Sequence, residues 1–275
     1  MRRSLGKFLT TTSRRRGPGA AAWSFASLLI LVACSAADAR ADAPLEKQTE
    51  QFLPLQPGAA VKLVNIDGAI QVFAWREPRL RLATLRRAYT AARLQQLGLT
   101  TETRGNQVII QTVMPEVHGL FADRSGTIDY TVTVPETTPL RLKLRTGEIT
   151  LHDLRGGSAQ IELGNGRLTA WNCFARVEAH AGTGTMQAFF PWWENLAAAF
   201  DYHIGYGRLD LRLPPEARFR IEAETADGGI HDEFGLPVRR ETQRGQSLRG
   251  ATEPDPPLSL GLHIRLGNIS IDKLR

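Results

Sequence analysis

Cysteine is nearly absent from this sequence, whose 275 residues contain only Cys34 and Cys173. A disulfide-stapled protein has at least two cysteine pairs, so a disulfide framework is excluded. A metal site built on several cysteines is excluded for the same reason. Cys173 stands between Asn172 and Phe174, and we expect it to be a small buried side chain.

The motifs that mark common enzyme classes are also missing. The sequence has no Gly-x-Ser-x-Gly nucleophile elbow and no Gly-x-x-x-x-Gly-Lys phosphate loop. Gly164-Asn165-Gly166 and Gly182-Thr183-Gly184 are turn signals, because no helical pattern follows them. His118, His152 and His231 are scattered along the chain. The sequence therefore predicts a protein that is not an enzyme and has no cofactor.

No apolar run reaches the length of about 20 residues that a membrane-spanning helix needs. Ala20–Ala33 is uncharged and apolar, and it follows a basic stretch that runs from Arg2 to Arg16. This order of a basic region and a short apolar region is typical of a secretory signal. Residues 1–41 are therefore predicted to be a leader that directs export.

Two cleavage sites compete in this leader. Leu31-Val32-Ala33-Cys34 resembles a bacterial lipobox, and cleavage before Cys34 would leave a lipidated cysteine that anchors the protein in a membrane. Ala39-Arg40-Ala41 is an ordinary small-x-small site, and cleavage after Ala41 would release a periplasmic protein. Both readings place the protein in the periplasm or at the outer membrane and cell surface.

Excess positive charge is absent once the leader is set aside. The formal charge of +6 comes from 34 Lys and Arg against 28 Asp and Glu. Seven of the basic and one of the acidic residues lie within 1–41, which leaves 27 of each sign. A balanced chain has no net attraction to phosphate backbones, so nucleic acid is not expected as a partner.

The remainder divides into a linker and a domain. Residues 42–60 are polar and contain several prolines, a composition typical of a tether. Residues 61–275 are expected to form a domain of β-strand repeats. It opens with alternating apolar and polar residues around Asp67-Gly68, which indicates a hairpin or a β-arc. Tyr89–Leu97 is rich in helix formers and is followed by Gly98, which predicts one short helix.

Repeats emerge when the domain is aligned on glycine. Six glycines are followed two residues later by an apolar residue and preceded at three, five and seven residues by mostly apolar ones: Gly147, Gly166, Gly184, Gly207, Gly228 and Gly267. Each unit is therefore two period-2 strands joined at a glycine turn, with one face buried. Single units cannot bury that face alone, so they must stack. This predicts an all-β fold of stacked β-strand repeats, either a β-solenoid or a layered β-sandwich, with one short helix.

The residue four positions before each repeat glycine is polar and is predicted to point outward: Lys143, Glu162, His180, His203, Glu224 and His263. If the units stack in parallel, these side chains form a row with a spacing of about 5 Å. Glu162, His180, His203 and Glu224 could then share a divalent metal ion such as zinc. The alternative is a solvated row of weak ion pairs.

Two adjacent tryptophans, Trp192 and Trp193, lie between two repeats, directly after Pro191. Proline is unsuited to a central strand, so this segment is expected to leave the sheet. The two side chains could contact a partner protein or a glycan, or they could cap the core.

Several stretches resemble a known family: Asn65–Val72, Asp129–Pro135, Arg145–Gly156, Leu213–Ala217 and Ile221–Gly228. Together they are similar to the bacterial putative-adhesin family with β-strand repeats, over about residues 61–275. The resemblance implies a β-repeat protein of the cell envelope and supplies no catalytic residues.

The sequence thus favours a non-catalytic exported envelope protein that binds an envelope protein or a glycan, or has a structural role. A structural or regulatory envelope factor without a ligand of its own is the first alternative. The second is a polysaccharide lyase or hydrolase that uses outward carboxylates such as Asp201, Asp210, Glu222 or Glu224.

Overall fold

The computed structural model describes residues 43–115 and 123–275. The predicted leader, both of its cleavage sites and Cys34 lie outside these residues. The described part of the chain forms one sheet of 15 strands and one short helix, which confirms the all-β prediction. The strands are β1 (Leu45–Pro54), β2 (Ala60–Trp75), β3 (Arg79–Ala88), β4 (Gly98–Arg104), β5 (Gln107–Val113), β6 (Thr127–Pro135), β7 (Leu140–His152), β8 (Arg155–Trp171), β9 (Phe174–Phe189), β10 (Ala198–Leu213), β11 (Phe219–Asp227), β12 (Ile230–Asp232), β13 (Val238–Arg240), β14 (Gln246–Ala251) and β15 (Leu258–Lys273), and the helix is α1 (Ala91–Gln96).

The sheet is open, and its strands follow the order β1-β3-β6-β2-β7-β8-β9-β10-β15-β11-β14-β13. All neighbours from β2 to β11 are parallel. Both ends are antiparallel, with β1-β3-β6 at one end and β11-β14-β13 at the other. The last strand of the chain, β15, lies between β10 and β11 and also pairs with β12.

A glycine bend divides each long parallel strand into two arms. Buried side chains alternate along both arms, but the alternation changes phase at the glycine. In β8, Ile161 and Leu163 are buried before Gly166, and Leu168 and Ala170 are buried after it. Because of this change of phase, both arms face the same core.

The bends stack from strand to strand, so that their glycines share one row: Gly68, Gly147, Gly166, Gly184, Gly207 and Gly267. The backbone of Gly184 has φ +143°, a conformation that residues with a Cβ rarely adopt. A Cβ on Gly184 would also lie only 1.8 Å from the carbonyl oxygen of Gly166. Glycine is therefore required at the bend both by its own backbone and by the neighbouring strand.

The parallel part of the sheet is a stack of coils, which decides between the two predicted architectures in favour of the solenoid. Two residues join β7 to β8, and two join β8 to β9. Flat parallel strands need a crossover of about a dozen residues, but here the bend brings the end of one strand back toward the start of the next. Asp153 and Asn172 form these corners with φ 57° and 51°, and Asn172 Nδ2 donates to Asp153 Oδ1 at 2.9 Å. The wider spacing before Gly207 is an inserted corner loop, residues 190–197.

The predicted linker at 42–60 is wrong for its central part. Leu45–Pro54 forms β1, which pairs along its whole length with β3. All but one of its side chains are exposed, so no apolar alternation marks it as a strand. Backbone pairing and cross-strand ion pairs hold it, for example Glu46 with Arg87 at 2.8 Å.

The single predicted helix is confirmed and is shorter than its pattern suggested. It covers Ala91–Gln96 instead of Tyr89–Leu97. Thr90 is the N-cap, and its Oγ1 accepts a hydrogen bond from the Arg93 amide at 3.2 Å. No helix within the described ranges is long and apolar enough to cross a membrane.

One hydrophobic core runs through the described residues and encloses a small polar network. Asn65 donates from Nδ2 to the Ile128 carbonyl at 2.8 Å, and its Oδ1 accepts from Thr112 Oγ1 at 2.7 Å. Thr112 is also 2.8 Å from the Tyr130 hydroxyl, and burial raises the pKa of Tyr130. Cys173 is buried as expected, and burial raises the pKa of its thiol to about 12. Burying a polar group costs free energy unless it is hydrogen-bonded, and the side chains of Asn65, Thr112 and Tyr130 are hydrogen-bonded to one another or to backbone.

Candidate functional site

An outward row of polar side chains crosses six neighbouring strands. In spatial order it consists of Lys143, Glu162, His180, His203, His263 and Glu224, on β7, β8, β9, β10, β15 and β11. The parallel register sets successive side chains about 4.8 Å apart. We call this row the histidine ladder. It contains the residues of the predicted outward column, but β15 places His263 between His203 and Glu224.

The three imidazoles of the histidine ladder stack on one another. The ring centroids of His180 and His203 are 4.8 Å apart, and those of His203 and His263 are 4.7 Å apart, with interplanar angles of 13°. The side chains are 55%, 41% and 33% exposed in the same order. The ring nitrogens are therefore accessible to a ligand from solvent.

The four residues predicted to share one metal ion do not surround a common point. Glu162 and Glu224 are four strand spacings apart, about 19 Å, whereas zinc ligands lie about 2 Å from the ion. Lys143 Nζ donates to Glu162 Oε2 at 2.6 Å, and this hydrogen bond lowers the pKa of Glu162. The set of four is therefore wrong as one metal site, although the structure does bring His180 and His203 together.

A carboxylate joins the ladder at its centre. Asp201 lies two residues before His203 on the same face of β10, and its Oδ1 is 2.9 Å from His203 Nε2. The same oxygen is 4.0 Å from His263 Nε2. These three side chains offer ligand atoms that all lie within 4.8 Å of one another. Sequence reasoning considered Asp201 only as an enzyme carboxylate and did not join it to His263.

Gly261 makes room for this carboxylate. It stands opposite Asp201 on β15. A Cβ on Gly261 would lie 2.9 Å from Asp201 Oδ1 and 3.6 Å from His263 Nε2. Gly261 is not one of the bend glycines, so the repeat pattern gave no signal for it.

A shallow groove of about 410 Å³ runs along the ladder. Its lining includes His180, His203, His263, Glu224 and Arg265. The groove is open to solvent and lies on the outward face of β9, β10, β15 and β11, so a ligand can approach the imidazoles without any rearrangement of the sheet.

The two predicted tryptophans have different environments. Trp193 packs against the core, with its ring 6.0 Å from that of Phe174 in an edge-to-face arrangement. Trp192 is 51% exposed, and its Nε1 donates to Glu194 Oε1 at 2.9 Å. Trp193 therefore caps the core, whereas Trp192 is available for contact.

Arg155 fixes the carboxylate that holds Trp192. Its Nη2 and Nε donate to the two carboxylate oxygens of Glu194 at 2.7 and 3.2 Å. Its Nη1 donates to the Asn172 carbonyl at 2.5 Å, and its guanidinium lies 5.0 Å from the Phe174 ring centroid. Burial acts to raise the pKa of Glu194, but the hydrogen bonds from Arg155 and Trp192 prevail and lower it. The carboxylate is therefore a fixed, ionised acceptor.

A second groove, of about 490 Å³, lies beside this arrangement. It is lined by Ala74, Trp75, Arg76, Glu136, Asp153, Arg155, Glu194 and Leu196. We call Trp192 together with these residues the Trp192 surface. It contains aromatic, cationic and anionic side chains.

Three of the four carboxylates considered for glycan cleavage contact basic side chains. Asp201 contacts His203, as described above. Asp210 accepts from Arg208 Nε at 2.6 Å, and Glu222 accepts from Arg249 Nη2 at 2.5 Å.

Solved structures similar to this chain come from bacteria. A putative cell adhesion protein from Clostridium sporogenes is 15% identical, with a TM-score of 0.45, and the match covers 84% of this chain and 100% of that one. A putative adhesin from Bacteroides fragilis is 9% identical, with a TM-score of 0.27, and the match covers 82% and 97%. A putative adhesin from Parabacteroides merdae is 6% identical, with a TM-score of 0.21, over 82% and 97%. The names of all three of these proteins refer to adhesion. No protein-family model and no curated protein matches the sequence.

Proposed function

We propose that the protein is an exported, non-catalytic component of the bacterial cell envelope that binds an envelope glycan through the Trp192 surface. The observation that carries the proposal is an exposed tryptophan ring held in a fixed orientation. Export rests on the leader pattern of residues 1–41, with its basic stretch, short apolar region and two cleavage sites.

The fixed ring of Trp192 is suited to binding. Exposed aromatic side chains contribute strongly to recognition when they bury their area against a partner. Ordering a mobile side chain opposes binding, and here a hydrogen bond already restrains the indole before a partner arrives. Trp192 is held by Glu194, and Glu194 is held by Arg155. The ring can thus meet a partner without losing much conformational entropy.

The charge pattern of the surface favours a glycan over a protein. The central parts of protein interfaces are depleted in charged residues. The groove beside Trp192 instead presents Arg76, Arg155, Glu136, Asp153 and Glu194. Carboxylates accept hydrogen bonds from sugar hydroxyls and guanidinium groups donate to them, while an aromatic ring packs against the apolar face of a sugar.

A non-catalytic role agrees with the pairing of the candidate carboxylates. Glycoside hydrolysis needs one carboxyl group as a proton donor and a second as a base or nucleophile. The carboxylates of Asp210 and Glu222 are instead each paired with a guanidinium group, that of Arg208 and that of Arg249.

Glycan-array and calorimetric binding with the full chain test the proposal. We expect binding to a bacterial envelope polysaccharide, weakened at least about tenfold in Trp192→Ala, because a central aromatic contact contributes about 1.4 kcal/mol or more. The matched control is Tyr206→Ala, which removes an exposed aromatic side chain at the bend of β10 and should leave binding unchanged.

Three outcomes would contradict the proposal. Capture of an envelope protein that depends on Trp192, with no glycan bound, would replace the glycan by a protein partner. Unchanged envelope function in Trp192→Ala would favour the structural factor without a ligand. Release of cleaved product from uronic-acid polymers would show that the protein is an enzyme.

Export is tested by the mass of the protein purified from cells that express all 275 residues. A chain that begins at a di- or triacylated Cys34 is expected for the lipidated form, and a chain that begins after Ala41 is expected for the periplasmic form. An unprocessed chain in the cytoplasm would contradict export.

A further inference from the structure

We propose that Asp201, His203 and His263 bind one divalent transition-metal ion, with zinc as the ion that this ligand set fits best. The inference is independent of glycan binding, because it concerns β10 and β15 and not the Trp192 surface. It also replaces the set of four ladder residues that the sequence suggested.

The ligand chemistry matches zinc. Two imidazole nitrogens and one carboxylate oxygen form one of the sets that hold zinc in proteins while leaving a fourth position open. Imidazole also binds nickel, cobalt and copper, so these ions are expected to compete. The described residues contain no cysteine near this point, since Cys173 is buried in the core.

The distances require only side-chain rotation. Zinc lies about 2.0–2.2 Å from nitrogen and oxygen ligands, so two ligands of a tetrahedral ion are about 3.3–3.5 Å apart. Asp201 Oδ1 is now 2.9 Å from His203 Nε2 and 4.0 Å from His263 Nε2, values on either side of that separation. The imidazoles start from adjacent parallel strands, whose spacing of about 4.8 Å is fixed by the backbone. The rings of His203 and His263 are now stacked, with an interplanar angle of 13°. Rotation about their χ angles, which breaks this stacking, turns both Nε2 atoms toward one ion beside Asp201.

The glycine opposite Asp201 is a separate observation that points to the same place. Glycine inside a strand weakens the sheet and often marks a close approach by another group. A Cβ at Gly261 would lie 2.9 Å from Asp201 Oδ1 and 3.5 Å from its Cγ. The absence of that Cβ is what lets the Asp201 carboxylate reach from β10 toward His263 on β15.

The surrounding charges favour a cation. Along the ladder, His180 stacks on the free side of His203, and Glu224 follows His263 on β11. Glu178 lies two residues before His180, and its Oε1 is 3.4 Å from His180 Nε2. The groove lining contains one basic side chain, Arg265, against the carboxylates of Glu224 and the adjoining Asp201. A water molecule can occupy the fourth position of the ion.

Titration of the full chain with Zn²⁺ by isothermal calorimetry tests the site, and Co²⁺ reports the geometry through its visible absorption. We expect one Zn²⁺ per chain with micromolar or tighter affinity, tetrahedral Co²⁺ absorption, and release of protons on binding, because ligand nitrogens must be unprotonated. Saturating Zn²⁺ should also raise the melting temperature, since it binds only the folded chain.

Four variants separate the ligands from their surroundings. His203→Ala and His263→Ala should each weaken binding at least 100-fold, and Asp201→Asn should weaken it at least tenfold. Gly261→Ala should weaken it about tenfold by displacing the carboxylate while keeping every ligand. All four sites are on an exposed sheet face, and circular dichroism verifies that each variant is folded.

Two controls make the test specific. His231→Ala removes an exposed imidazole on β12, and Glu162→Gln removes a ladder carboxylate remote from the site; both should retain wild-type affinity. The proposal is overturned if the wild-type protein does not bind Zn²⁺ at millimolar concentration. It is also overturned if the folded His203→Ala and His263→Ala variants bind Zn²⁺ as tightly as the wild-type protein. If Asp201→Asn and Gly261→Ala both bind Zn²⁺ with the affinity of the wild-type protein, the Asp201 carboxylate is not a ligand.

Discussion

His152 lies on the outward side of the second arm of β7, where its ring stacks on that of Phe73 in β2. The ring centroids are 4.5 Å apart and the planes differ by 5°. Burial lowers the pKa of His152, and the nearby charge of Asp153 opposes this shift only in part. The folded state therefore holds the imidazole in its neutral form more strongly than the unfolded state does.

This shift predicts a pH dependence of stability. At pH above about 6.5 the imidazole is neutral in both states. As the pH falls below that value the unfolded chain takes up a proton first, so the free energy of unfolding decreases until the pH is below the folded pKa. We expect His152→Phe, which keeps a ring on Phe73, to reduce the slope of unfolding free energy against pH in this window. The measurement is urea denaturation at a series of pH values between about 7.5 and 5.

A second variant tests whether burial of His152 is the cause of the pH dependence. Phe73→Ala exposes the imidazole to water and should also reduce the slope, although His152 is still present. An unchanged slope in the folded His152→Phe protein would show that His152 does not contribute the pH dependence.

At the residue level the sequence predicted environments better than contacts. The outward direction of His180 and His203 and the burial of Cys173 follow from strand alternation and apolar context, which are local properties. The approach of Asp201 to His263 is not local, because it depends on which strand lies beside β10. Gly261 is informative only once that neighbour is known.

The glycine bend is the element on which the repeated unit depends. Each bend glycine has a positive φ and places its Cα hydrogens against the carbonyl of the preceding strand. Any substitution at a bend glycine therefore lowers the free energy of unfolding for two separate reasons. One is the backbone conformation, and the other is overlap with the neighbouring strand.

Gly184→Ala is expected to lower the free energy of unfolding by at least about 4 kcal/mol, the range of exceptional single substitutions. The reason is the Cβ placed 1.8 Å from the Gly166 oxygen, which the packed coils cannot relieve. Gly105→Ala is the comparison, because Gly105 also has a positive φ, at 56° in the milder left-handed region, and a Cβ there has no neighbour within 4 Å. It should cost only about 1–2 kcal/mol. Equal losses in chemical denaturation would show that the stacked carbonyl is not the constraint.

The repeat pattern identified six bends and did not include the bend of β2, which the sequence indicated separately as a hairpin or a β-arc at Asp67-Gly68. Gly68 lies in the same row as Gly147, and Ile70 follows it at the expected position. However, Asn65 occupies a position that is apolar in most repeats. Its amide is satisfied by the Ile128 carbonyl and by Thr112, partners that no local pattern reveals. The strand β1 was missed for a related physical reason, since a strand with almost no buried side chain has no apolar period.

At the scale of the whole molecule, the order of strands in space departs from their order in the chain. The repeats follow one another from β7 to β10, but the next strand in space is β15, the last in sequence. β11 and β12 then flank β15 on its far side. Alternation and glycine spacing are identical for either order, so the sequence pattern could not distinguish them. The long segment between Gly228 and Gly267 was the only sign that a unit was displaced.

This order predicts that the C-terminal strand is essential to the fold. Deletion of residues 258–275 removes six buried apolar side chains: Leu258, Leu260, Leu262, Ile264, Ile269 and Ile271. At about 1.5–3 kcal/mol for each, the loss is about 9–18 kcal/mol, which is comparable to the whole stability of a typical domain, about 5–15 kcal/mol. We expect no cooperative thermal transition in circular dichroism from this truncated chain.

Deletion of β1 is the matched comparison, because it removes a strand at the edge of the sheet instead of one inside it. A chain without residues 45–54 loses almost no buried apolar surface, so it should still unfold cooperatively, with a melting temperature lowered by only a few degrees. A chain that ends at Pro257 and melts as the β1 deletion does would mean that β10 and β11 can pair directly. In that case the stack would tolerate the loss of a central coil, and the position of β15 would matter for His263 and Gly261 but not for folding.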